Sequence, residues 1–258
     1  MKKIVMLSVI AASLMAGEFQ FGKGTFTLDN GNGVDLSTDV TTFSLVEQHS
    51  NLFSSNWFYS YDITWNESEN ANNATNSTEY KFQGIDLNFV LGKDLVHNSD
   101  DDFVGLGVVL GASFPWIDSE DNTNTANNIN NTANKTKTKI MTYKIGPTIN
   151  VRKPINNYLM VYANATYAYQ TGSVKNDDLN IDSNANGTFL NYGIGIRFQP
   201  FSAKKDIGFM TLDTKLYFTL GYKYNKWVLK DVSLNSASAS GDLKMSTSVV
   251  YAGVGYSF

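Results

Sequence analysis

The chain has 258 residues, a net charge of −4, 17% charged and 42% hydrophobic residues, and no cysteine. The acidic balance argues against nucleic acid as a partner. The lack of cysteine excludes disulfides, thiolate metal sites and a lipid-modified amino-terminal cysteine. Residues 1–17 read as a secretory signal peptide: Lys2 and Lys3 precede the apolar run Ile4–Met15, and the small residues Ala16 and Gly17 follow. That run is well short of the ~20 residues a spanning helix needs, and no later segment is long and apolar enough. Residues 18–258 are then expected to form one domain.

Ten segments of period-2 alternation follow, each the mark of a strand with two unlike faces. The first is predicted over Glu18–Leu28 and breaks at Asp29-Asn30-Gly31-Asn32-Gly33, a strong turn signal. The second, Val34–Glu47, has an ambiguous phase. Val34, Leu36 and Val40 share one face while Phe43 and Leu45 share the other, so a bulge is expected. In the third, Asn56–Asn66, Trp57, Tyr59, Tyr61, Ile63 and Trp65 lie together. The fourth and fifth are predicted over Tyr80–Asp94 and Phe103–Ile117, the latter setting Leu106, Val108 and Leu110 against Gly105, Gly107 and Gly111. The sixth to ninth are predicted over Ile140–Arg152, Tyr158–Gln170, Thr188–Gln199 and Ile207–Lys226.

The tenth runs from Gly241 to Phe258, with Val250, Ala252, Val254, Tyr256 and Phe258 on one face. A last strand is an open edge unless it closes on the first, which suggests a barrel. The spacing Tyr251-x-Gly253-x-x-Tyr256-x-Phe258 resembles the carboxy-terminal signature of Gram-negative outer-membrane β-barrel proteins. The resemblance implies that this stretch is read by the barrel-assembly machinery. It implies an all-β, transmembrane, up-and-down antiparallel barrel, with ten strands expected and eight or twelve also open. It names no activity.

The connections agree with that reading. Those after the second, fourth, sixth and eighth strands are predicted short: His49–Ser55, His97–Asp101, Lys153–Asn157 and Ser202–Asp206. Those after the third, fifth, seventh and ninth are predicted long and polar: Glu67–Glu79, Asp118–Lys139, Thr171–Gly187 and about Val228–Ser240. Short periplasmic turns and long extracellular loops characterise outer-membrane barrels, and both termini are then expected in the periplasm. Trp65, Trp116, Tyr167, Tyr169, Tyr222 and Tyr224 are expected near the extracellular boundary, with Trp57, Tyr59, Phe198, Tyr256 and Phe258 near the periplasmic one. The expected partners are outer-membrane lipid and lipopolysaccharide, and the assembly machinery during biogenesis.

The face opposite the apolar one should point inward. It carries Asp62, Asp86 and Asp213, with Asp94 a further candidate, and Lys144, Arg152, Arg197, Lys215 and Lys223. No charge is expected on the lipid face, where Arg or Lys costs ~2–4 kcal/mol at mid-membrane. The interior charges are either a constriction that selects solutes or a salt-bridge network in a largely filled interior. No catalytic residue, cofactor or metal is expected. The two histidines, His49 and His97, fall in predicted periplasmic turns, away from the lipid-facing or extracellular sites that barrel enzymes use. Asp182-Ser183-Asn184-Ala185-Asn186-Gly187 matches half of a calcium loop, but the twelfth position is Gly193 where a bidentate Glu is needed. The function expected is therefore structural, surface-interacting or narrow-pore, with a diffusion porin as the alternative.

Overall fold

The computed structural model describes residues 17–29, 31, 35–52, 56–72, 78–96, 102–121, 134–201, 205–206, 211–212, 215–232 and 241–256. Residues 1–16, His97, Asp100, Asp101, Asp213, Phe258 and the parts 73–77, 122–133 and 233–240 of the long connections lie outside these residues.

Ten long strands form the fold: β1 Gly17–Asp29, β2 Asp35–Leu52, β3 Trp57–Ser68, β4 Thr78–Asp94, β5 Phe103–Asp121, β6 Asn134–Asn156, β7 Leu159–Asn176, β8 Ile181–Phe198, β9 Leu216–Val232 and β10 Gly241–Tyr256. Each pairs antiparallel with the next. β10 returns to β1, from Gly17 opposite Tyr256 to Asp29 opposite Lys244. This is a closed, antiparallel, ten-stranded barrel. Closure gives each of the ten long strands a partner on both sides. The Gly17/Tyr256 end is called the near end, the opposite one the far end.

Side chains alternate between outside and inside along every strand. The outward set includes Leu110, Ile145, Ile194, Leu220 and Val250, all between 53% and 58% exposed. Exposed aliphatic residues recur on strands all around the barrel, a belt of the kind that faces lipid.

Four sequence expectations need correction. The bulge expected in the second strand is absent. β1 and β2 keep one register from Glu18 opposite Val46 to Asp29 opposite Asp35. Leu36 and Val40 point inward and Phe43 and Leu45 outward because the far half of the interior is itself apolar, so both faces of one strand carry apolar residues.

The seventh connection shrinks in the same way. β7 and β8 continue as a hairpin to a turn at residues 177–180, with Asn180 at φ 52°. A left-handed backbone suits asparagine, whose side chain can bond locally. The half calcium motif is therefore extended strand, in which Asp182 pairs with Lys175 at 3.1 Å and alternate side chains point to opposite faces.

The ninth strand starts at Leu216 and not at Ile207. Lys205–Asp206 pairs instead with Thr211–Leu212 in a short ribbon outside the barrel sheet. The connection after β8 is thus long, which breaks the regular alternation of loop lengths. By contrast β6 and β7 meet in a tight near-end turn, where Asn156 Oδ1 accepts from the Tyr158 and Leu159 amides at 2.9 and 3.0 Å.

The outward face is not free of charge. Lys23 is exposed and stands opposite Val250 and Thr41, and Thr41 stands opposite Glu67. Lys23 therefore belongs to the row where the outer surface of β1–β3 turns polar, and a long side chain there can reach water. Lys23→Leu is expected to change stability in a bilayer by less than about 1 kcal/mol, whereas Leu110→Lys should cost about 2–4 kcal/mol. Urea unfolding in lipid vesicles measures both; equal losses would contradict this placement.

Candidate functional site in the barrel interior

The interior has three levels. At the far end Phe26, Phe82, Phe189, Trp227, Leu243 and Met245 meet, none more than 3% exposed. Phe26 on β1 and Phe82 on β4 stack with ring centroids 4.0 Å apart and planes at 12°. These strands are not neighbours, so the stack spans the interior. Phe189 and Trp227 pack alongside at 5.6 Å. Apolar rings bury here for the usual reason, removal of ~150–250 Å² of surface each.

Beneath this layer lies a charged one. Lys144 Nζ donates to Asp86 Oδ1 at 2.6 Å, with the lysine side chain 0% and the aspartate side chain 6% exposed. Asp86 also accepts from Ser113 Oγ and, at 2.8 Å, from Asn88 Nδ2. Ser113 Oγ in turn accepts from Trp227 Nε1 at 3.1 Å, which ties the charged layer to the apolar one. Lys144 Nζ also lies 3.9 Å from the centre of the Phe189 ring. A second ion pair joins Lys223 to Asp62, and Asp62 accepts from Thr64 Oγ1 at 2.6 Å. An amide ladder continues around the wall: Asn164 to Asn191 at 2.6 Å, Asn191 to Asn225 at 2.7 Å and Asn225 to Thr247 at 3.1 Å.

The third level, toward the near end, is a cavity of about 130 Å³. Its wall includes Glu18, Gln48, Asn150, Arg152, Tyr162, Arg197 and Tyr251. Glu18 accepts from Gln20 Nε2 at 2.7 Å and from Thr219 Oγ1 at 2.5 Å. The hydroxyls of Tyr162 on β7 and Tyr251 on β10 are 2.8 Å apart, a bridge between strands that are not neighbours. Inward glycines make room for these rings. A Cβ at Gly221 would lie 2.6 Å from the Tyr251 ring, and one at Gly195 would lie 2.5 Å from the Tyr162 hydroxyl.

No protein-family model matches the chain, and no curated protein matches it. Solved structures do. The chain is similar to the translocator domain of the autotransporter NalP from Neisseria meningitidis, at 12% identity over 100% of this chain and 95% of that one, with a TM-score of 0.44. It is similar to the β domain of the Bordetella autotransporter BrkA, at 12% identity over 94% and 100%, with a TM-score of 0.41. It is similar to the outer membrane protein OprG from Pseudomonas aeruginosa, at 14% identity over 94% and 96%, with a TM-score of 0.32. At these values the likenesses assign no function.

The residues singled out from the sequence divide as follows. Asp62, Asp86, Lys144 and Lys223 come together in the charged layer. Arg197 lies apart from them at the near mouth, its guanidinium 3.4 Å from the Tyr217 ring. Asp94 keeps the inward parity of β4 but sits at its near end, where its Oδ1 accepts from the Val96 and Val104 amides at 3.0 and 3.3 Å. Lys215 is an exposed turn residue just before β9, at the rim. Of the carboxy-terminal signature, Tyr251 and Gly253 point inward and Tyr256 outward, with Gly253 placed so that a Cβ would sit 2.8 Å from Glu18 Oε1. His49 is in strand β2, on the outer surface, hydrogen-bonded to Glu47, which also accepts from the Tyr61 hydroxyl. The apolar layer was missed because Trp227 and Leu229 look like loop entry; their parity with Lys223 and Asn225 was the available signal.

Proposed function

We propose that this chain is an outer-membrane barrel with a closed interior, which displays its far-end loops at the cell surface in a structural or surface-interacting role. The near end, with both termini, then faces the periplasm. The aliphatic belt supports membrane insertion, and the polar, Asn- and Thr-rich sequence between β3 and β4 and between β5 and β6 suits exposure to water. One observation carries the closed reading: Phe26 and Phe82 stack across the far half of the interior among fully buried side chains. A hydrated solute has no path through such a layer. The porin reading is accordingly the lesser one, favoured only by the two charged pairs beneath. Catalysis forms no part of this reading.

Orientation and location are tested by replacing Asn124, in the loop between β5 and β6, with cysteine. The chain has no other thiol. A membrane-impermeant maleimide applied to intact cells should label Asn124→Cys, and the protein should show heat-modifiable gel mobility. Labelling only after the outer membrane is opened would overturn the orientation.

A further inference from the structure

Glu47 is a carboxylate on the outward face of the barrel. Phe43 and Leu45 point outward from β2, and Glu47 and His49 continue that parity toward the near end, opposite Tyr61 and Tyr59. The Glu47 side chain is nevertheless only 9% exposed. It accepts from the Tyr61 hydroxyl and is hydrogen-bonded to His49 Nε2. Tyr61 is a neutral donor, and His49 brings a positive charge only when protonated. Among the described residues no lysine or arginine pairs with Glu47. A buried carboxylate without a lasting counter-charge is costly, the more so on a face turned to lipid.

The space beside that carboxylate belongs to Gly17. This buried glycine is the first residue of β1, stands opposite Tyr256 and has a φ of 131°, a backbone that suits glycine. The position of a Cβ on Gly17 lies 3.0 Å from the Val46 carbonyl oxygen and 3.8 Å from Glu47 Oε2. Two acceptors thus converge on a point where a methyl group would have nothing to donate. An amino group would. Once the peptide bond before Gly17 is cut, its nitrogen is held by Cα alone. Rotation about the Cα–C bond then carries the nitrogen into the Cβ position, which glycine leaves empty. There it donates to Val46 and stands within ion-pair distance of Glu47.

The sequence supplies the cut, since the small residue Ala16 ends the apolar leader. We propose that the leader is removed by hydrolysis of the Ala16–Gly17 bond, and that the new amino terminus docks on Glu47 and Val46. The oxygen of water goes to the Ala16 carboxyl group, and Gly17 keeps an amine that is largely protonated at neutral pH. The mature chain then starts one residue before Glu18. A cut after Gly17 would discard the glycine that fits and leave the amine on Glu18, whose side chain is committed to Gln20 and Thr219. The uncut chain has a neutral amide at this place, so the strand that closes on β10 gains its ion pair only through processing. The cut rests on the secretory-leader reading and is independent of whether the interior conducts.

The test expresses the full chain in a Gram-negative host, recovers the barrel from the outer membrane and measures its intact mass. The mass of residues 17–258 is expected. A chain that starts at Glu18 or any other residue, or the uncut chain, would overturn the proposal, and only the uncut chain would also overturn the leader reading. Docking is tested by acetylating the folded barrel in micelles with a succinimidyl ester and following the tryptic peptide Gly17–Lys23. Glu47→Gln should raise the reactivity of the Gly17 amine about tenfold, the effect of removing one hydrogen bond to a charged group. Equal reactivity in the native chain and in Glu47→Gln would overturn the docking. If Glu47→Gln loses heat-modifiable mobility, Glu47→Asp, which withdraws the carboxylate by one methylene, is read in its place, with the same two outcomes.

Discussion

Asp86→Ala is expected to destabilise the barrel by about 3–5 kcal/mol, the penalty for stranding a buried charge. Lys144 has no route to water: its side chain is 0% exposed and its ammonium sits between Asp86 and the face of Phe189. Removing the carboxylate also strips Ser113 and Asn88 of their acceptor. The pair itself is not the source of stability. Two charges taken from water lose hydration that their mutual attraction roughly restores. The double variant Asp86→Leu, Lys144→Met should therefore recover most of the loss. Urea unfolding in micelles, read by tryptophan fluorescence, measures both. A loss below about 1 kcal/mol in Asp86→Ala would show that Lys144 finds another partner.

The second large effect is on permeability. Phe26→Ala with Phe82→Ala removes the stack that crosses the interior. Each truncation should cost about 3–5 kcal/mol, and the two residues touch, so the sum is not additive. Where the variant keeps its heat-modifiable mobility, it should conduct in a planar bilayer. Water entering the far half would reach the Asp86–Lys144 and Asp62–Lys223 layer, and the cavity below it opens at the near end. Neutralising Lys223 in that background should then alter ion selectivity, because exposed charges in a narrow path set it. A folded double variant that stays silent would mean that Phe189, Trp227, Leu243 and Met245 close the interior without the stack.

What the sequence made legible was the alternation, and it was most legible where the two faces differ in chemistry. In the fifth strand Leu106, Val108 and Leu110 oppose glycines, so phase and face followed from period alone. Legibility failed where the faces became alike. Along β1 and β2 both faces carry apolar residues, which looked like a bulge and was in fact an apolar interior. It failed also beyond the belt, where β7 and β8 continue into water with polar outer faces that read as loop. Alternating charge on the inward face pointed to Asp62, Asp86, Lys144 and Lys223, but not to who pairs with whom. Asp86 and Lys144 stand on strands two apart, β4 and β6, and their contact depends on the register of β5 with both and on Gly111 between them. The near-end cavity was invisible for a related reason. Gln48, Asn150, Tyr162 and Tyr251 come from four separate strands, and no local spacing connects them.

The closed interior is tested most directly by single-channel recording of the native barrel in a planar lipid bilayer. The expected result is no stable current step across the working voltage range, with insertion verified by heat-modifiable mobility of the recovered protein. Reproducible ohmic steps from the native chain would contradict it, since no hydrated ion could pass the layer formed by Phe26, Phe82, Phe189 and Trp227 as described.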